Sequence, residues 1–476
     1  MFYTGQNRPL TTHPQPSRGR SLWMVSTLFI VILTACAQEV SDATEDRWPI
    51  ANDGKADIYG SDSRREALDP SVPEGVSPLI RSVAMLFNMR NTLNVTESQF
   101  VFPRERFTDR VRREEGAPLC EDEAFADQYV SGYCTAFLIT PQLVATAGHC
   151  VNGHTRCAQM GIAFNYAKES PRDEPSEVDR SDVYRCESIV GRLYNPFEEP
   201  ETLESREYWY DWAVLKLDRP VEGRAPLKLF EGDRLKQGDP IHVLGHPHGL
   251  PMKFSQGEVF NDNYERYMNT SLDIYQGNSG SPAFDAERGE VHGIVIRGSG
   301  GKSFERSRDP DTGLECSASR RCETLRGSRG CTGNHVLRID PIRVFTEPDL
   351  KLIEQHTLVE REDTQIRRYS FSFTEKGFVD FATIHLNGGA QNPQNVRVLL
   401  HHGDQHIEMI SRPRSLPYGR WSATSMDFRD ADPQGEWVIE VINEGDGHLS
   451  VEWAQVMLGY HAEWPSSESG GGADPE

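Results

Sequence analysis

The sequence predicts an all-β protein with two folded units. Its 476 residues are too many for one ordinary hydrophobic core. Apolar residues recur in short runs separated by Gly, Pro, Asn and Asp, which is typical of strands joined by turns. Such runs fill residues 58–346 and, after a break, residues 357–461. Asp340-Pro341, followed by apolar residues up to Ile353, indicates a helix at the end of the first unit, which we place at residues 58–356.

The first 36 residues read as an export signal. Three arginines precede an apolar run, Trp23 to Leu33, that is too short to cross a bilayer comfortably. The run ends in Leu33-Thr34-Ala35-Cys36, which resembles the lipobox of bacterial lipoproteins. The resemblance implies that Cys36 is lipidated and that the protein is anchored to a membrane of the cell envelope. Ala37 follows, where an Asp would suggest inner-membrane retention, so the outer membrane or cell surface is the expected location. The alternative is an ordinary signal peptide, with Cys36 there by chance and the protein secreted.

Two segments are expected to lie outside the folded units. Residues 37–57 are acidic and polar, which predicts a solvated tether. Residues 462–476 contain the sequence PSSESGGGADPE and predict a flexible tail. The formal charge of the chain is −22, and no cluster of Lys or Arg stands out after the signal. Such a surface repels polyphosphate, so we expect no nucleic-acid partner.

The cysteines predict disulfides. Without Cys36, eight of the nine cysteines remain, and an even number in an exported chain fits an oxidising compartment. No CxxC pair is present, which disfavours a metal site built on cysteine. Cys157 and Cys186 are a plausible pair. Cys316, Cys322 and Cys331 lie in an Arg-, Ser- and Gly-rich insertion over residues 302–333, to which we expect Cys120 to connect.

Three motifs supply the parts that amide hydrolysis by a serine requires. A serine needs an imidazole base to take its proton, a carboxylate to fix the imidazole tautomer, and donors for the oxyanion. The first motif, Thr146-Ala-Gly-His149-Cys150, follows two apolar strands. The second places Asp211 at the head of an apolar strand, and the third is Gly277-Asn-Ser279-Gly-Ser-Pro. Their order along the chain is His, Asp, Ser.

These motifs resemble the trypsin/chymotrypsin superfamily, especially its bacterial glutamyl-endopeptidase-like branch. The resemblance covers roughly residues 58–346 and includes Ile58-Tyr-Gly-Ser-Asp-Ser-Arg64, which looks like the start of the catalytic domain in that branch. It implies a chymotrypsin-like double six-stranded β-barrel, an acyl-enzyme mechanism and no cofactor. His149 would be the general base, Asp211 its orienting carboxylate and Ser279 the nucleophile. The resemblance further implies an oxyanion hole at the amides of Gly277 and Ser279, and a Cys134–Cys150 disulfide.

The chain departs from trypsin at the residue before the nucleophile. Trypsin carries an Asp there, which pairs with a newly freed amino terminus, whereas this chain carries Asn278. A neutral amide cannot form that ion pair, so we expect the site to be organised by other contacts.

Substrate preference stays open at this point. Asp273 stands six residues before Ser279, where trypsin-like enzymes bind a basic side chain, but a buried structural carboxylate is the competing interpretation. Val295 stands where glutamyl endopeptidases carry a substrate-binding His, which argues against glutamate specificity. Arg297 and Gly298 lie in the segment expected to pair with substrate, and Arg297 favours acidic residues nearby.

Two groups of histidines outside these motifs are candidate metal ligands. They are Gly245-His246-Pro247-His248-Gly249 and, in the second unit, His401, His402 and His406. Histidines in polar turns are more often solvated, so no metal is predicted at either place.

The second unit resembles the P (Homo B) domain, a jelly-roll β-sandwich. The matching pieces are Gly435-x-Trp437 before an apolar strand, then Gly447-x-Leu449 and Trp453. Another carbohydrate- or protein-binding β-sandwich is the alternative. The sequence as a whole therefore predicts an exported serine endopeptidase acting on proteins or peptides. The competing hypothesis is a degenerate, non-catalytic protein of protease fold that captures a peptide.

Overall fold

The computed structural model describes residues 58–463, apart from residues 93, 152–156, 171, 195–209, 299–302, 323–330, 332, 360–364, 412–418 and 446. The predicted signal with Cys36, the acidic tether and most of the predicted tail lie outside the described residues. Among the helices that are described, none has the length and apolar character needed to cross a membrane.

The first barrel closes through six antiparallel strands. They are β1 (Val83–Asn88), β2 (Cys134–Leu138), β3 (Leu143–Thr146), β4 (Met160–Phe164), β5 (Val183–Tyr194) and β6 (Asp211–Leu217). Their order around the barrel is β4-β5-β6-β3-β2-β1, and β1 pairs with β4 to close it. β2 and β3 are buried along their whole length, as their continuous apolar sequences predict.

The second barrel repeats this design. Its strands are β7 (Pro240–Gly245), β8 (Lys253–Asn261), β9 (Tyr267–Thr270), β10 (Pro282–Asp285), β11 (Val291–Arg297) and β12 (Asn334–Arg338). The order is β7-β10-β11-β12-β9-β8, and β7 pairs with β8 to close the barrel. Two closed six-stranded barrels confirm the predicted chymotrypsin-like architecture.

Short elements decorate the barrels. The α-helices are Ser77–Ile80 and Phe107–Glu115. The 3-10 helices are Glu74–Val76, Met89–Asn91, Gly148–Cys150, Arg180–Asp182, Pro247–Gly249, Asp340–Thr346 and, in the second unit, Pro393–Asn395. The additional strands are Ile58–Tyr59, Arg65–Glu66, Asn94–Val95, Gln99–Val101, Glu105–Arg106, Tyr129–Val130, Glu177–Asp179, Phe304–Arg308, Glu315–Ser319 and Arg321–Cys322.

The second unit is a sandwich of two four-stranded antiparallel sheets. Its strands are β13 (Lys351–Leu358), β14 (Ile366–Phe373), β15 (Phe378–Ala390), β16 (Val396–His402), β17 (Gln405–Ser411), β18 (Gly419–Ser425), β19 (Gly435–Asn443) and β20 (Leu449–His461). The sheets have the orders β13-β20-β15-β18 and β14-β19-β16-β17. Successive strands alternate between the sheets except at one hairpin, which is the jelly-roll arrangement predicted. Because many modules share it, the resemblance to the P domain stays a prediction.

The sandwich shares a hydrophobic core with the first barrel. Phe381 and Met457 of the sandwich belong to the same buried cluster as the barrel residues, and the ring centroid of Phe345 lies 4.5 Å from that of Phe381. Polar contacts add to this interface. Thr383 Oγ1 donates to the carbonyl oxygen of Val190 at 3.1 Å. In the described part of the chain, barrels and sandwich therefore belong to one compact unit.

The end of the first unit differs from the prediction. The expected helix is only the 3-10 stretch Asp340–Thr346. Leu352 and Ile353 belong instead to β13, whose backbone pairs in antiparallel register with β20. This pairing satisfies the backbone groups that a longer helix would have satisfied internally. The sandwich thus begins at Lys351, ahead of the boundary predicted at residue 357.

Candidate active site

His149 lies in a tight 3-10 turn of the first barrel. The turn, Gly148–Cys150, follows β3 and is fixed by the Cys134–Cys150 disulfide. A Cβ atom on Gly148 would lie 2.9 Å from the carbonyl oxygen of Trp212, so only glycine allows this close approach to β6. The approach brings the imidazole beside Asp211, the first residue of β6.

Asp211 holds both the ring and the backbone of His149. Its Oδ2 lies 2.6 Å from His149 Nδ1, and its Oδ1 accepts the His149 backbone N–H at 2.8 Å. Both side chains are only 11% exposed, which shields the pair from water. A proton on Nδ1 that faces the carboxylate leaves Nε2 as the basic nitrogen. The pair thus has the tautomer-fixing arrangement that the sequence predicts.

Ser279 lies on the other side of the same disulfide. Its carbonyl oxygen accepts the Thr135 N–H at 2.8 Å and lies 3.6 Å from Cys150 Sγ. The two sulfur atoms and a ring nitrogen of His149 all lie within 4.8 Å of one another. The backbone of Ser279 therefore lies next to the disulfide that fixes the His149 turn.

The backbone before Ser279 turns tightly at Gly277. Gly277 has φ = +99°, and a Cβ there would lie 2.5 Å from the His246 carbonyl oxygen. The Gln276 carbonyl oxygen accepts the His248 N–H, so the planar trans peptide directs the Gly277 N–H to the opposite side. Within the described residues, neither the Gly277 nor the Ser279 amide donates to a protein acceptor. Two amides in this turn are thus available to a substrate oxygen.

Asn278 is buried next to Ser279. It is 3% exposed, and its Oδ1 accepts a long hydrogen bond of 3.4 Å from Ser281 Oγ. Its backbone N–H donates to the Tyr275 carbonyl oxygen at 2.9 Å. These contacts are internal to the turn, in keeping with the neutral side chain at this position.

Thr135 is a site residue that the motif analysis missed. Its backbone holds Ser279, and its Oγ1 donates to the Gly277 carbonyl oxygen at 2.9 Å and accepts the His246 N–H at 3.0 Å. The threonine directly after Cys134 is fully buried, and its hydrogen-bond partners lie more than 100 residues away in sequence. No local pattern could have predicted them.

Asp273 is engaged by the start of the folded chain. It is 2% exposed, and its carboxylate accepts the Tyr59 N–H, the Ser63 N–H and the Ser63 hydroxyl, each at 2.7 Å. Burial raises the pKa of this carboxyl, although the three donors act in the opposite direction. Of the two interpretations of Asp273, these contacts favour the structural carboxylate over a basic specificity pocket.

The other predicted substrate-binding residues lie on or next to β11. Val295 is 1% exposed in the core of the second barrel, and its carbonyl oxygen accepts the Gly280 N–H at 2.7 Å. These contacts favour a role in supporting the nucleophile turn. Arg297 is partly buried and pairs in register with His335 of β12, and the buried Gly298 follows it.

All eight remaining cysteines form disulfides. The pairs are Cys120–Cys316, Cys134–Cys150, Cys157–Cys186 and Cys322–Cys331. The implied and plausible pairs are confirmed, and Cys120 reaches the insertion as expected. The sulfurs near His149 are therefore bonded to each other and are not available as metal ligands.

The histidines of the Gly245–Gly249 sequence are buried, whereas the sequence pattern predicted that they would be solvated. His246 Nδ1 lies 3.0 Å from the Leu250 carbonyl oxygen, and His248 packs against the ring of Phe107 with centroids 5.0 Å apart. Desolvation by burial lowers the pKa of each ring to about 3. The expectation of solvation was wrong because this turn is inserted between the second barrel and the Phe107–Glu115 helix. In the sandwich, His402 stacks on Trp437 and His401 pairs with Glu440.

Comparison with known proteins agrees with this geometry. Residues 134–294 match the family model of the trypsin-like peptidase domain. The chain contains a trypsin-like peptidase domain. Relatives named "Probable periplasmic serine endoprotease DegP-like" match this domain: the protein of Pseudomonas putida (strain F1) is 31% identical over 24% of each chain. That of Hahella chejuensis is 34% identical over 24% of this chain and 25% of its own. The present chain thus spans about a quarter of the length of these relatives.

Solved structures similar to the peptidase domain were also found. A Glu endopeptidase in complex with MPD is 14% identical, with a TM-score of 0.31 over 61% of this chain and 99% of its own. An HtrA-type protease AlgW with decapeptide is 18% identical, with a TM-score of 0.31 over 57% and 65%.

Proposed function

We propose that the chain is a serine endopeptidase that hydrolyses peptide bonds through an acyl-enzyme at Ser279. The observation that carries the proposal is the 2.6 Å contact between Asp211 Oδ2 and His149 Nδ1, which fixes the ring of the proposed base. The Ser279 carbonyl oxygen, 3.6 Å from Sγ of Cys150, the residue after His149, supports it. A protein that only captures peptides has no need of a buried carboxylate fixing an imidazole tautomer.

The first half of the reaction forms the acyl-enzyme. His149 Nε2 takes the Ser279 hydroxyl proton as Oγ attacks the substrate carbonyl carbon. The carbonyl oxygen becomes an oxyanion and accepts hydrogen bonds from the backbone N–H groups of Gly277 and Ser279. Asp211 stabilises the imidazolium that forms. When the tetrahedral intermediate collapses, the C–N bond breaks and His149 returns the proton to the leaving amine.

The second half releases the acid. A water molecule gives a proton to His149 and attacks the acyl carbon, and the same two amides bind the second oxyanion. Collapse breaks the ester bond and returns the proton to Ser279 Oγ. Every proton and bond is then accounted for by the three side chains, the turn and water. The proposal therefore includes no metal and no cofactor.

Peptide hydrolysis by the purified chain tests the proposal. Ser279→Ala and His149→Ala should each reduce kcat/KM by about three orders of magnitude or more. Ser71→Ala and His356→Ala are matched exposed substitutions away from the site and should leave the rate unchanged. Equal hydrolysis by the wild-type and Ser279→Ala proteins would contradict the proposal and leave the non-catalytic binding protein as the alternative. A peptide library cleaved by the wild type would give the residue preference.

We further propose that the enzyme acts in the bacterial cell envelope, anchored by a lipid on Cys36. The lipobox-like Leu33-Thr34-Ala35-Cys36 and the four disulfides support export to an oxidising compartment. Cys36→Ser should shift the protein from the membrane fraction to the soluble fraction or block its processing. A variant that stays in the membrane fraction, with its mature amino terminus elsewhere, would indicate an ordinary signal peptide instead.

A further inference from the structure

The first described residues lie against the segment that directly precedes the Gly277–Ser279 turn. We call residues 58–66 the leading segment. Its two ends are fixed by strand pairing: Ile58–Tyr59 pairs in parallel with Arg321–Cys322, and Arg65–Glu66 pairs antiparallel with β8. Lys253 Nζ, in a side chain only 2% exposed, donates to Glu66 Oε2 at 2.8 Å. The leading segment is thus anchored at both ends, and its Arg65–Glu66 end joins the sheet of the second barrel.

Two residues of the leading segment, Tyr59 and Ser63, donate hydrogen bonds to Asp273, which stands six residues before Ser279. One carboxylate oxygen accepts the Tyr59 N–H, and the other accepts the Ser63 N–H and hydroxyl. The Asp273 backbone N–H in turn donates to Ser255 Oγ at 3.0 Å, and Ser255 Oγ lies 3.1 Å from Ser63 Oγ. Three hydrogen bonds to a buried carboxylate fix its position, because hydrogen bonds to a charged group are stronger than those between neutral groups.

Arg64 contacts Tyr275, two residues further along the chain than Asp273. Its guanidinium lies 4.3 Å from the centroid of the Tyr275 ring and donates to both carboxylate oxygens of Asp62, at 2.8 and 2.6 Å. The side chain of Arg64 is 1% exposed, so the cation and the ring meet away from water. The Tyr275 carbonyl oxygen accepts the Asn278 N–H and so closes the turn that contains Gly277.

In trypsin a freed amino terminus pairs with the residue at the position of Asn278. Asn278 offers no charge to such a group, and its contacts are internal to the turn. The two contacts of the leading segment are made instead at residues 273 and 275, directly before the turn. Because Gly277 has a positive φ and a close approach to the Gly245–Gly249 sequence, the turn needs support on both sides to keep its amides aligned.

We propose that Asp273 and Arg64 are positioning residues, and that the leading segment organises the oxyanion-hole turn through them in place of a freed amino terminus. The proposal rests on the proposed function of the same site. It implies that activity requires residues 58–66 to stay attached to residues 273–275. It also implies that no new charged terminus has to be inserted beside Asn278.

The test compares two isosteric substitutions of buried carboxylates. Asp273→Asn places an amide NH₂ among the N–H and O–H donors of Tyr59 and Ser63. Asp285→Asn is the matched control, because Asp285 is 6% exposed and also caps backbone amides, at Glu287 and Arg288, without contacting the leading segment. For both variants we would measure kcat and KM on peptides with a basic or an acidic residue before the cleaved bond, the rate of fluorophosphonate labelling, and thermal unfolding.

A positioning role predicts a loss of transition-state stabilisation without a loss of binding. Asp273→Asn should lower kcat and the labelling rate together, by about ten- to a hundredfold, with KM nearly unchanged for both peptides. Asp285→Asn should keep both rates within about twofold of the wild type. Arg64→Met should resemble Asp273→Asn, and Ser63→Ala, which removes one bond and keeps the backbone, should show a smaller loss in the same direction.

Three results would overturn the inference. Equal rates for the Asp273→Asn and Asp285→Asn proteins would do so, as would a raised KM confined to the basic peptide, which would make Asp273 a substrate-binding residue. If Asp273→Asn does not fold, unchanged kcat in both Ser63→Ala and Arg64→Met would overturn it equally. A wild-type protein that is not labelled at all would instead refute the proposed function.

Discussion

The Nε of Arg192 donates a 2.8 Å hydrogen bond to the carbonyl oxygen of Gly148, the residue directly before His149. Arg192 is 7% exposed, and its backbone N–H donates to Thr424 Oγ1 of the sandwich at 2.8 Å. The turn that carries His149 is therefore fixed from β5, and β5 is in turn contacted by the sandwich. Through Arg192, the second unit therefore contacts the turn of His149, the proposed base, in addition to its contribution to the shared core.

Removing the Arg192 guanidinium should impair His149 without unfolding the protein. Arg192→Met should lower kcat/KM by about ten- to a hundredfold, because a small displacement of the base is costly in an enzyme that depends on alignment. Arg219→Met is the control, since Arg219 also donates to backbone carbonyls, those of Ser181 and Val183, but away from the site. The measurement is steady-state hydrolysis of one peptide by both variants. Equal kcat/KM for the two would show that Arg192 does not position the turn.

The shared core predicts that the barrels and the sandwich unfold together. Phe381→Ala should lower the free energy of unfolding by about 3–5 kcal/mol, the usual cost of truncating a buried phenylalanine. Leu358→Ala, at a sandwich position that is 82% exposed, should have little effect. Intrinsic fluorescence and loss of fluorophosphonate labelling, followed against denaturant, should report one coincident transition for the wild type. Labelling that survives a separate first transition would contradict the shared core.

The two buried histidines beside the nucleophile turn predict acid sensitivity. Each has a pKa of about 3 when folded and 6.5 in the reference state, so the unfolded chain binds more protons between these values. Their contribution to stability is therefore complete above pH 6.5 and is lost as the pH falls towards 3. Desolvation is the main cause for His248, and the nearby Arg110 and Arg64 guanidinium groups act in the same direction.

His248→Asn tests this dependence, since asparagine tolerates the positive φ of 51° at this position. The variant should lose less stability than the wild type between pH 7 and pH 5, with a difference of roughly 2 kcal/mol for one histidine. Urea denaturation at several pH values gives the slopes, and His356→Gln on the exposed face of β13 serves as the control. Parallel curves for the wild-type and His248→Asn proteins would refute the assignment.

The features that could be predicted from the sequence are those that local patterns encode. His149, Asp211 and Ser279 each stand in a short motif, and continuous apolar runs mark the buried strands β2, β3 and β6. The jelly-roll could be predicted for a similar reason, since its strands carry alternating apolar residues.

The remaining features depend on contacts between distant parts of the chain. Asp273 could be interpreted as a substrate-pocket residue because the sequence shows only its position relative to Ser279. It does not show the hydrogen-bond partners of Asp273, which lie some 210 residues earlier. The Gly245–Gly249 turn looked solvated because its polar composition does not show what packs over it. Arg192 carried no signal at all, since its donor role depends on the meeting of β5 with the His149 turn.

The most direct test of the central claim is to locate the covalent adduct formed with a fluorophosphonate. Mass spectrometry of the digested wild-type protein should place a single adduct on Ser279, and none on Ser281 in the same peptide, because only a serine beside an oriented imidazole is activated. The Asp211→Asn protein should react about 10⁴-fold more slowly, since the carboxamide no longer fixes the tautomer of His149. An adduct on another residue, or equal labelling of the Ser279→Ala protein, would contradict the account.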